Sequence, residues 1–260
     1  MKIYLLGTGS IVPTERRFAS GILIETNNIK LLLDCGPGCI EKLRRVGVYP
    51  QDLNALLITH FHVDHVSDML PLIKARAYGR DGFPALSPKV LEILGPKGLE
   101  KLVRHLVVDI TEFSYISRMM RCFNYLRLTE LSHGDKILRD GWSVEVAEVE
   151  HYNGIAYKVV IEDKSIVYSG DTLPDNRLVE LARGCDLLIH ECSFPHETLL
   201  GKHTSDRQLA EILGEIKARR VAVVHLYPAW EGREETLVEQ LSEVSGADIH
   251  VARDMDIIEL

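Results

Sequence analysis

Thr59-His60-Phe61-His62-Val63-Asp64-His65 sets three imidazoles and a carboxylate within a short turn, directly after the apolar run Ala55-Leu56-Leu57-Ile58. In an extended stretch residues i and i+2 point the same way, so His60 and His62 can grip one ion. The chain then turns, which lets Asp64 and His65 face a second ion beside it. A polar turn that happens to be rich in histidine is the plain alternative; four such residues at this spacing argue for metal. Further ligand candidates close other strands: His151 after Val144 to Val149, Asp171 after Ile166 to Tyr168, and His225 after Val221 to Val224. One His at a strand end is more often a hydrogen-bonded rim residue, but taken with the cluster these three read as ligands. Nitrogen and carboxylate donors suit two divalent ions, Zn first, with Mn or Fe as rivals. A carboxylate such as Asp171 can bridge ions held roughly 3.5–4 Å apart.

Outward from the cluster the chain shows a rhythm. A first strand spans Lys2 to Leu6, followed by a hairpin of Gly21 to Thr26 and Ile29 to Asp34 turning at Asn27-Asn28. A helix is expected over 38–46, then the strand Ala55 to Thr59 and a helix over 66–78. Next come the strand Leu91 to Gly95 and a helix over 97–108 opened by Pro96. Strands near 125–130 and 143–149 lead into a second hairpin, Ile155 to Ile161 and Ser165 to Ser169, ending in Ser169-Gly170-Asp171. The strand Asp186 to His190, a helix over 206–218 and the strand Val221 to His225 follow. A helix over 233–245 and two short strands close the chain. Each half is a hairpin ending near Asp, then helices alternating with apolar strands that end in His. Fully apolar strands between amphipathic helices imply two sheets sandwiched by helices, in one domain with internal pseudo-symmetry.

The 260 residues are 46% hydrophobic and 26% charged, with a formal net charge of −8. That excludes disordered, collagen-like and coiled-coil proteins, and argues against coating nucleic acid by bulk charge. No stretch approaches the roughly 18 apolar residues a spanning helix needs. Five cysteines, an odd number in a long chain, fit a reducing compartment and point to the cytosol. Cys35 and Cys39 read as core residues and Cys192 has no evident role. Asp34 either hydrogen-bonds a ligand His or merely ends its strand. Gly7-Thr8-Gly9-Ser10 makes a tight turn and lacks the Gly-Lys-Ser/Thr of a phosphate loop.

The His-x-His-x-Asp-His cluster followed by a distant His, an Asp and a final His resembles the metallo-β-lactamase fold. Within that superfamily the chain is similar to the ribonuclease Z branch. The similarity runs through Leu6-Gly7-Thr8-Gly9-Ser10 with Pro13, Arg17 and Ser20, and through Leu33-Asp34-Cys35-Gly36 and Ser169-Gly170-Asp171-Thr172. It continues in His190-Glu191-Cys192-Ser193, Gly201-Lys202-His203-Thr204-Ser205 and Val224-His225-Leu226. It covers about 1–40, 54–70, 149–172 and 183–228. The resemblance implies a four-layer αββα sandwich over 1–260, with one metal on His60, His62 and His151. It puts the other metal on Asp64, His65 and His225, with Asp171 between them. It also implies a His at 203 paired with Glu191. That last motif departs from the family's His-Glu-Ala-Thr in its third and fourth residues. A homodimer is implied by the resemblance alone.

The activity implied is hydrolysis of a phosphodiester, in RNA such as a tRNA 3′ end or in a smaller nucleotide. Two cations would bridge a water and bring its pKa toward roughly 7. Asp64 would orient the hydroxide or take its proton, and His203, oriented by Glu191, would protonate the leaving alkoxide. His203 can also be read as flanking a helix cap at Thr204-Ser205-Asp206. The family's tRNA-gripping arm commonly lies between the third motif's His and the Asp, yet His151 and Asp171 are only 20 residues apart, filled by a hairpin. The unmatched helical segment, about 97–127, carries Arg104, Arg118, Arg121 and Arg127 with Phe113, Tyr115, Phe123 and Tyr125. These could hold single-stranded RNA, or form a cover over the site or a dimer surface. Hydrolysis of thioesters or lactones on the same fold, and a non-catalytic RNA- or protein-binding module with structural metals, stay open as alternatives.

Overall fold

The apolar runs become the inner strands of two seven-stranded sheets, described for residues 1–260 by a computed structural model. The first sheet contains β1 (Lys2–Gly7), β2 (Gly21–Glu25), β3 (Lys30–Leu33), β4 (Ala55–Leu57), β5 (Leu91–Pro96) and β6 (Leu126–Leu131). Its far edge is the last strand of the chain, β14 (Asp256–Glu259), laid against β1. The second sheet runs in order through β7 (Lys136–Arg139), β8 (Trp142–Glu148), β9 (Ile155–Ile161), β10 (Lys164–Tyr168), β11 (Leu187–Glu191), β12 (Arg220–Val224) and β13 (Asp248–Val251). In both sheets three antiparallel pairings are followed by three parallel ones. The two halves are therefore built alike, strand for strand.

Alternation along the strands makes the layers. Leu31, Leu33, Leu57, Ile166, Ile189 and Val224 point between the sheets. Their neighbours Leu32, Leu56, Val167, Leu188 and Val223 point outward under helices. Over the first sheet lie α1 (Cys39–Arg45), α2 (Val63–Val66), α3 (Met69–Ala75), α4 (Leu99–Arg104) and α5 (Tyr115–Arg118). Over the second lie α6 (Asn176–Ala182), α7 (Asp206–Ile216) and α8 (Glu234–Ser245). The result is the αββα sandwich, each buried leucine contributing about 1.5–3 kcal/mol from lost water contact. No helix is long and apolar enough to cross a membrane.

Several boundaries differ from the sequence reading. The strand expected to reach Thr59 stops at Leu57, because the Thr59 amide donates to the Asp34 carboxylate (2.8 Å) instead of a neighbouring strand. The helix expected over 66–78 is shorter, Met69–Ala75, and Val63–Val66 forms a separate turn before it. Pro71 has no N–H and cannot extend a helix backward through Ser67, so α3 starts afresh at Met69. Pro96 ends β5, and Gly98, at φ +95°, caps α4 instead. Helix α6, capped by the Asp175 side chain on the Arg177 amide (2.8 Å), and edge strand β7 were not anticipated.

The segment after α4 folds back over the first sheet through Val107, Ile116, Cys122 and Tyr125. Tyr125 is buried with its hydroxyl on the Ile73 carbonyl, and Arg104 lies over the Phe123 ring at 5.0 Å. The Tyr125 ring is used for packing and is not free to stack on bases, while Phe123 is half-buried. The interval between His151 and Asp171 is filled by the β9–β10 hairpin.

Candidate metal centre

The site lies beyond the carboxyl ends of β3, β4, β10, β11 and β12, where chains leave a parallel sheet and ligands commonly bind. Two exits have unusual backbone. Asp34 (φ +56°) and His225 (φ +57°) are left-handed, a conformation that costs a non-glycine residue about 1–3 kcal/mol and concentrates at functional sites. Gly170, just before Asp171, is also left-handed, and a Cβ there would stand 2.8 Å from the Cβ of Thr59. Glycine is what lets the β10 exit pass against the β4 exit and bring Asp171 to the histidines.

Seven residues from four separate parts of the chain meet here. His60, His62, His151 and Asp171 offer ligand atoms within 4.8 Å of one another, as do Asp64, His65 and His225. Asp171 touches both groups. Its Oδ2 lies 3.6 Å from His60 Nε2, and its Oδ1 lies 3.3 Å from both His65 Nε2 and His225 Nε2. His225 Nε2 is also 3.4 Å from Asp64 Oδ2, and His151 Nε2 is 3.3 Å from His62 Nδ1.

The outer partners fix which nitrogen faces inward. Asp34 Oδ2 accepts from His65 Nδ1 (2.7 Å), and also from the Thr59 and Tyr168 hydroxyls. The Thr59 hydroxyl, donating to Asp34, can accept from His60 Nδ1 at 3.1 Å. Ser193 does the same between Glu191 and His225: its hydroxyl donates to Glu191 Oε2 (2.5 Å) and lies 3.0 Å from His225 Nδ1. His151 Nδ1 meets the Lys202 carbonyl at 3.0 Å. In all four rings the Nδ1 proton is held outside, leaving Nε2 with a lone pair toward the centre.

A cation fits this donor set on a direct observation. His60 Nε2, His65 Nε2 and Asp171 Oδ1 are buried and have no hydrogen-bond partner. Three unpaired polar atoms converging in one place would cost about 1–3 kcal/mol each without something to bind. Burial, assisted by His65, pushes the His60 imidazole well below its usual pKa, so it stays neutral as a ligand must. Asp171 is held well below the carboxylate range: burial opposes ionisation, but His225, His65 and His60 outweigh it. Burial also disfavours a proton on His65, yet Asp171 and Asp34 raise its pKa well above normal. The field that favours a proton there favours a metal cation in the same position.

His203 joins from the loop before α7. Its ligand atom lies within 4.8 Å of those of Asp171 and His225, and its Nδ1 is 3.1 Å from Glu191 Oε1. Glu191 is fully buried and also accepts the amides of Thr172, Ser193 and Thr204. Burial lowers the His203 pKa, but the Glu191 hydrogen bond more than compensates and the net shift is upward. The cap of α7 is Ser205, paired with Gln208, so His203 is not spent on capping.

The chain matches the family model for anti-Pycsar protein Apyc1 over residues 1–241. It belongs to that family, among the ribonuclease Z-like metallo-β-lactamase hydrolases. Ribonuclease Z of Mycolicibacterium gilvum (strain PYR-GCK) is 30% identical over 73% of this chain and 68% of its own length. Ribonuclease Z of Enterococcus faecalis (strain ATCC 700802 / V583) is 26% identical over all of this chain and 97% of its own. That alignment runs over 313 positions against 260 residues here, leaving at least 53 positions without a counterpart. Among solved structures, the metallo-β-lactamase fold protein YhfI from Bacillus subtilis superposes with a TM-score of 0.80 at 19% identity, covering 99% of this chain and 98% of that one. This Apyc1-family chain is a metal-dependent hydrolase with a divalent-metal site.

Three contributors were missed from sequence: Thr59, Tyr168 and Ser193, which all hold Asp34, Glu191 or a ligand ring in place. Ser193 had a signal, since it stands where the family motif has Thr and keeps the hydroxyl. Asp34, left open between two roles, hydrogen-bonds His65. Cys192 is buried under the helices of the second half, and His190 faces away with its Nδ1 on the Glu191 carbonyl.

Proposed function

We propose that this protein is a dinuclear phosphodiesterase acting on nucleotide phosphodiesters. The observation that carries the reading is the His203–Glu191 pair, a buried carboxylate orienting an imidazole beside Asp171 and His225. One ion would be held by His60, His62 and His151, the other by Asp64, His65 and His225, with Asp171 shared. The nitrogen and carboxylate donors favour zinc. Bound there, such ions acidify water and neutralise charge that gathers on phosphoryl oxygens. Asp64 orients the attacking water and takes its proton. His203 gives its Nε2 proton to the departing alkoxide, while Glu191 holds Nδ1–H and offsets the positive charge of the imidazolium. The pairing suits an ester whose leaving group is a poor one, such as a sugar hydroxyl.

Small nucleotide esters are the favoured substrates, supported by the hairpin between His151 and Asp171 and the unmatched positions in the longer relative. The name of the curated relatives, ribonuclease Z, favours a second reading in which RNA, including a tRNA 3′ end, is cut. The test is turnover of bis(p-nitrophenyl) phosphate by metal-loaded protein with Asp64→Ala beside it, then of dinucleotides against 3′-extended tRNA. Turnover lost in the variant supports the proposal; a wild type inert to every phosphodiester overturns it in favour of thioesters or lactones.

A further inference from the structure

Tyr227 lies two residues past His225 and has no part in the chemistry above. Its backbone is fixed on both sides: its N–H donates to the Ser193 carbonyl (3.1 Å), and its carbonyl accepts from the Trp230 amide (3.0 Å). Trp230 is in turn anchored by its indole N–H on the Cys192 carbonyl at 2.8 Å. The Tyr227 ring stacks on Phe194 with centroids 4.3 Å apart and planes 24° apart. It stands edge-on to His203 at 5.9 Å and to His225 at 5.8 Å. So the phenol is held rigidly against the proposed acid and a proposed ligand at once.

Its hydroxyl is free. The three most deeply buried tyrosines use theirs on the protein: Tyr125 on the Ile73 carbonyl, Tyr157 on those of Ile58 and Leu94, and Tyr168 on Asp34. The hydroxyl of half-buried Tyr227 makes no hydrogen bond within the chain. A phenol is a neutral O–H donor that adds no charge beside the cations.

We propose that the Tyr227 hydroxyl donates a hydrogen bond to a non-bridging oxygen of the substrate's phosphoryl group. The inference rests on the phosphodiesterase reading. As the attacking oxygen adds to phosphorus, negative charge grows on the non-bridging oxygens, where a fixed donor contributes most. His203 serves the leaving oxygen, so the two side chains act on different atoms and their variants separate by substrate.

The experiment compares metal-loaded wild type, Tyr227→Phe and His203→Ala on bis(p-nitrophenyl) phosphate and on a phosphodiester with an aliphatic leaving group. Titration calorimetry with orthovanadate, a mimic of five-coordinate phosphorus, runs beside it. Phe keeps the stack on Phe194, so metal content and melting temperature should match wild type. For Tyr227→Phe, kcat is expected to fall about 10- to 100-fold on both esters with KM little changed, and vanadate to bind about 10-fold more weakly. Activity and vanadate affinity close to wild type would overturn the proposal. A loss confined to the aliphatic ester would also overturn it, placing Tyr227 on the leaving oxygen. A wild type inert to both esters overturns the phosphodiesterase reading, and this inference with it.

Discussion

Asp34 Oδ2 and His65 Nδ1 are joined by a 2.7 Å hydrogen bond at zero solvent exposure, and the same carboxylate holds the Thr59 amide and the Tyr168 hydroxyl. One side chain at the exit of β3 therefore ties together the β4 exit, the first ligand cluster and the second sheet. Its role is to aim His65 Nε2 inward and make that nitrogen a better donor.

Asp34→Asn is expected to keep the left-handed backbone, which Asn tolerates, while losing the charge that orients His65. Metal affinity, measured by chelator competition, should fall about 10- to 100-fold. Unchanged affinity would mean that Asp34 only braces the β4 exit.

Removing metal should destabilise the fold, because buried His60 Nε2, His65 Nε2 and Asp171 Oδ1 have no other partner. At free metal about 100 times Kd, binding adds about 2.7 kcal/mol to stability. The melting temperature should drop on dialysis against chelator and return on adding zinc, whereas His60→Ala should show a much smaller response.

His203→Ala should leave metal content near wild type, whereas Glu191→Gln sets an NH2 against donors the carboxylate accepts, disturbs Ser193 behind His225 and should also weaken metal binding. Each should slow hydrolysis of an aliphatic phosphodiester about 10²- to 10⁴-fold while affecting a p-nitrophenyl ester far less, since p-nitrophenolate needs little protonation. Equal losses on both esters would place His203 on another step.

Tyr157 joins the sheets just before the ligand cluster: it belongs to β9, yet its hydroxyl donates to the Ile58 carbonyl (2.8 Å) and reaches that of Leu94 (3.3 Å). Tyr157→Phe removes the donor to the buried Ile58 carbonyl, while that of Leu94 keeps the Ile58 amide, an expected loss of about 1–3 kcal/mol by urea denaturation. Stability within 0.5 kcal/mol of wild type would show the Ile58 carbonyl satisfied without it.

The ligand cluster at 60–65 was legible because its donors are close in sequence and follow an apolar strand. The hairpins and their Asp exits were legible because strands buried on both faces read as unbroken Leu, Ile and Val. The helix expected over 66–78 overran α3 at both ends, since Pro71 has no N–H to bond Ser67 and fits only near a helix start. Edge strand β7 escaped notice because Lys136-Ile137-Leu138-Arg139 buries too little to leave a pattern.

By itself the sequence determined the layered α/β class, the internal repeat and most of the His and Asp residues that the fold gathers, since periodicity and local clustering are properties of neighbouring positions. The tertiary structure alone decided that Asp171 stands 3.3 Å from both His65 and His225, which imidazole nitrogen faces inward, and that Ser193 couples Glu191 to His225. Those facts depend on left-handed turns at Asp34, Gly170 and His225, which bring together strand ends far apart in the chain. A hydrogen-bond partner more than a hundred residues away leaves no period in a single sequence; only the packing of the two sheets brings it into contact.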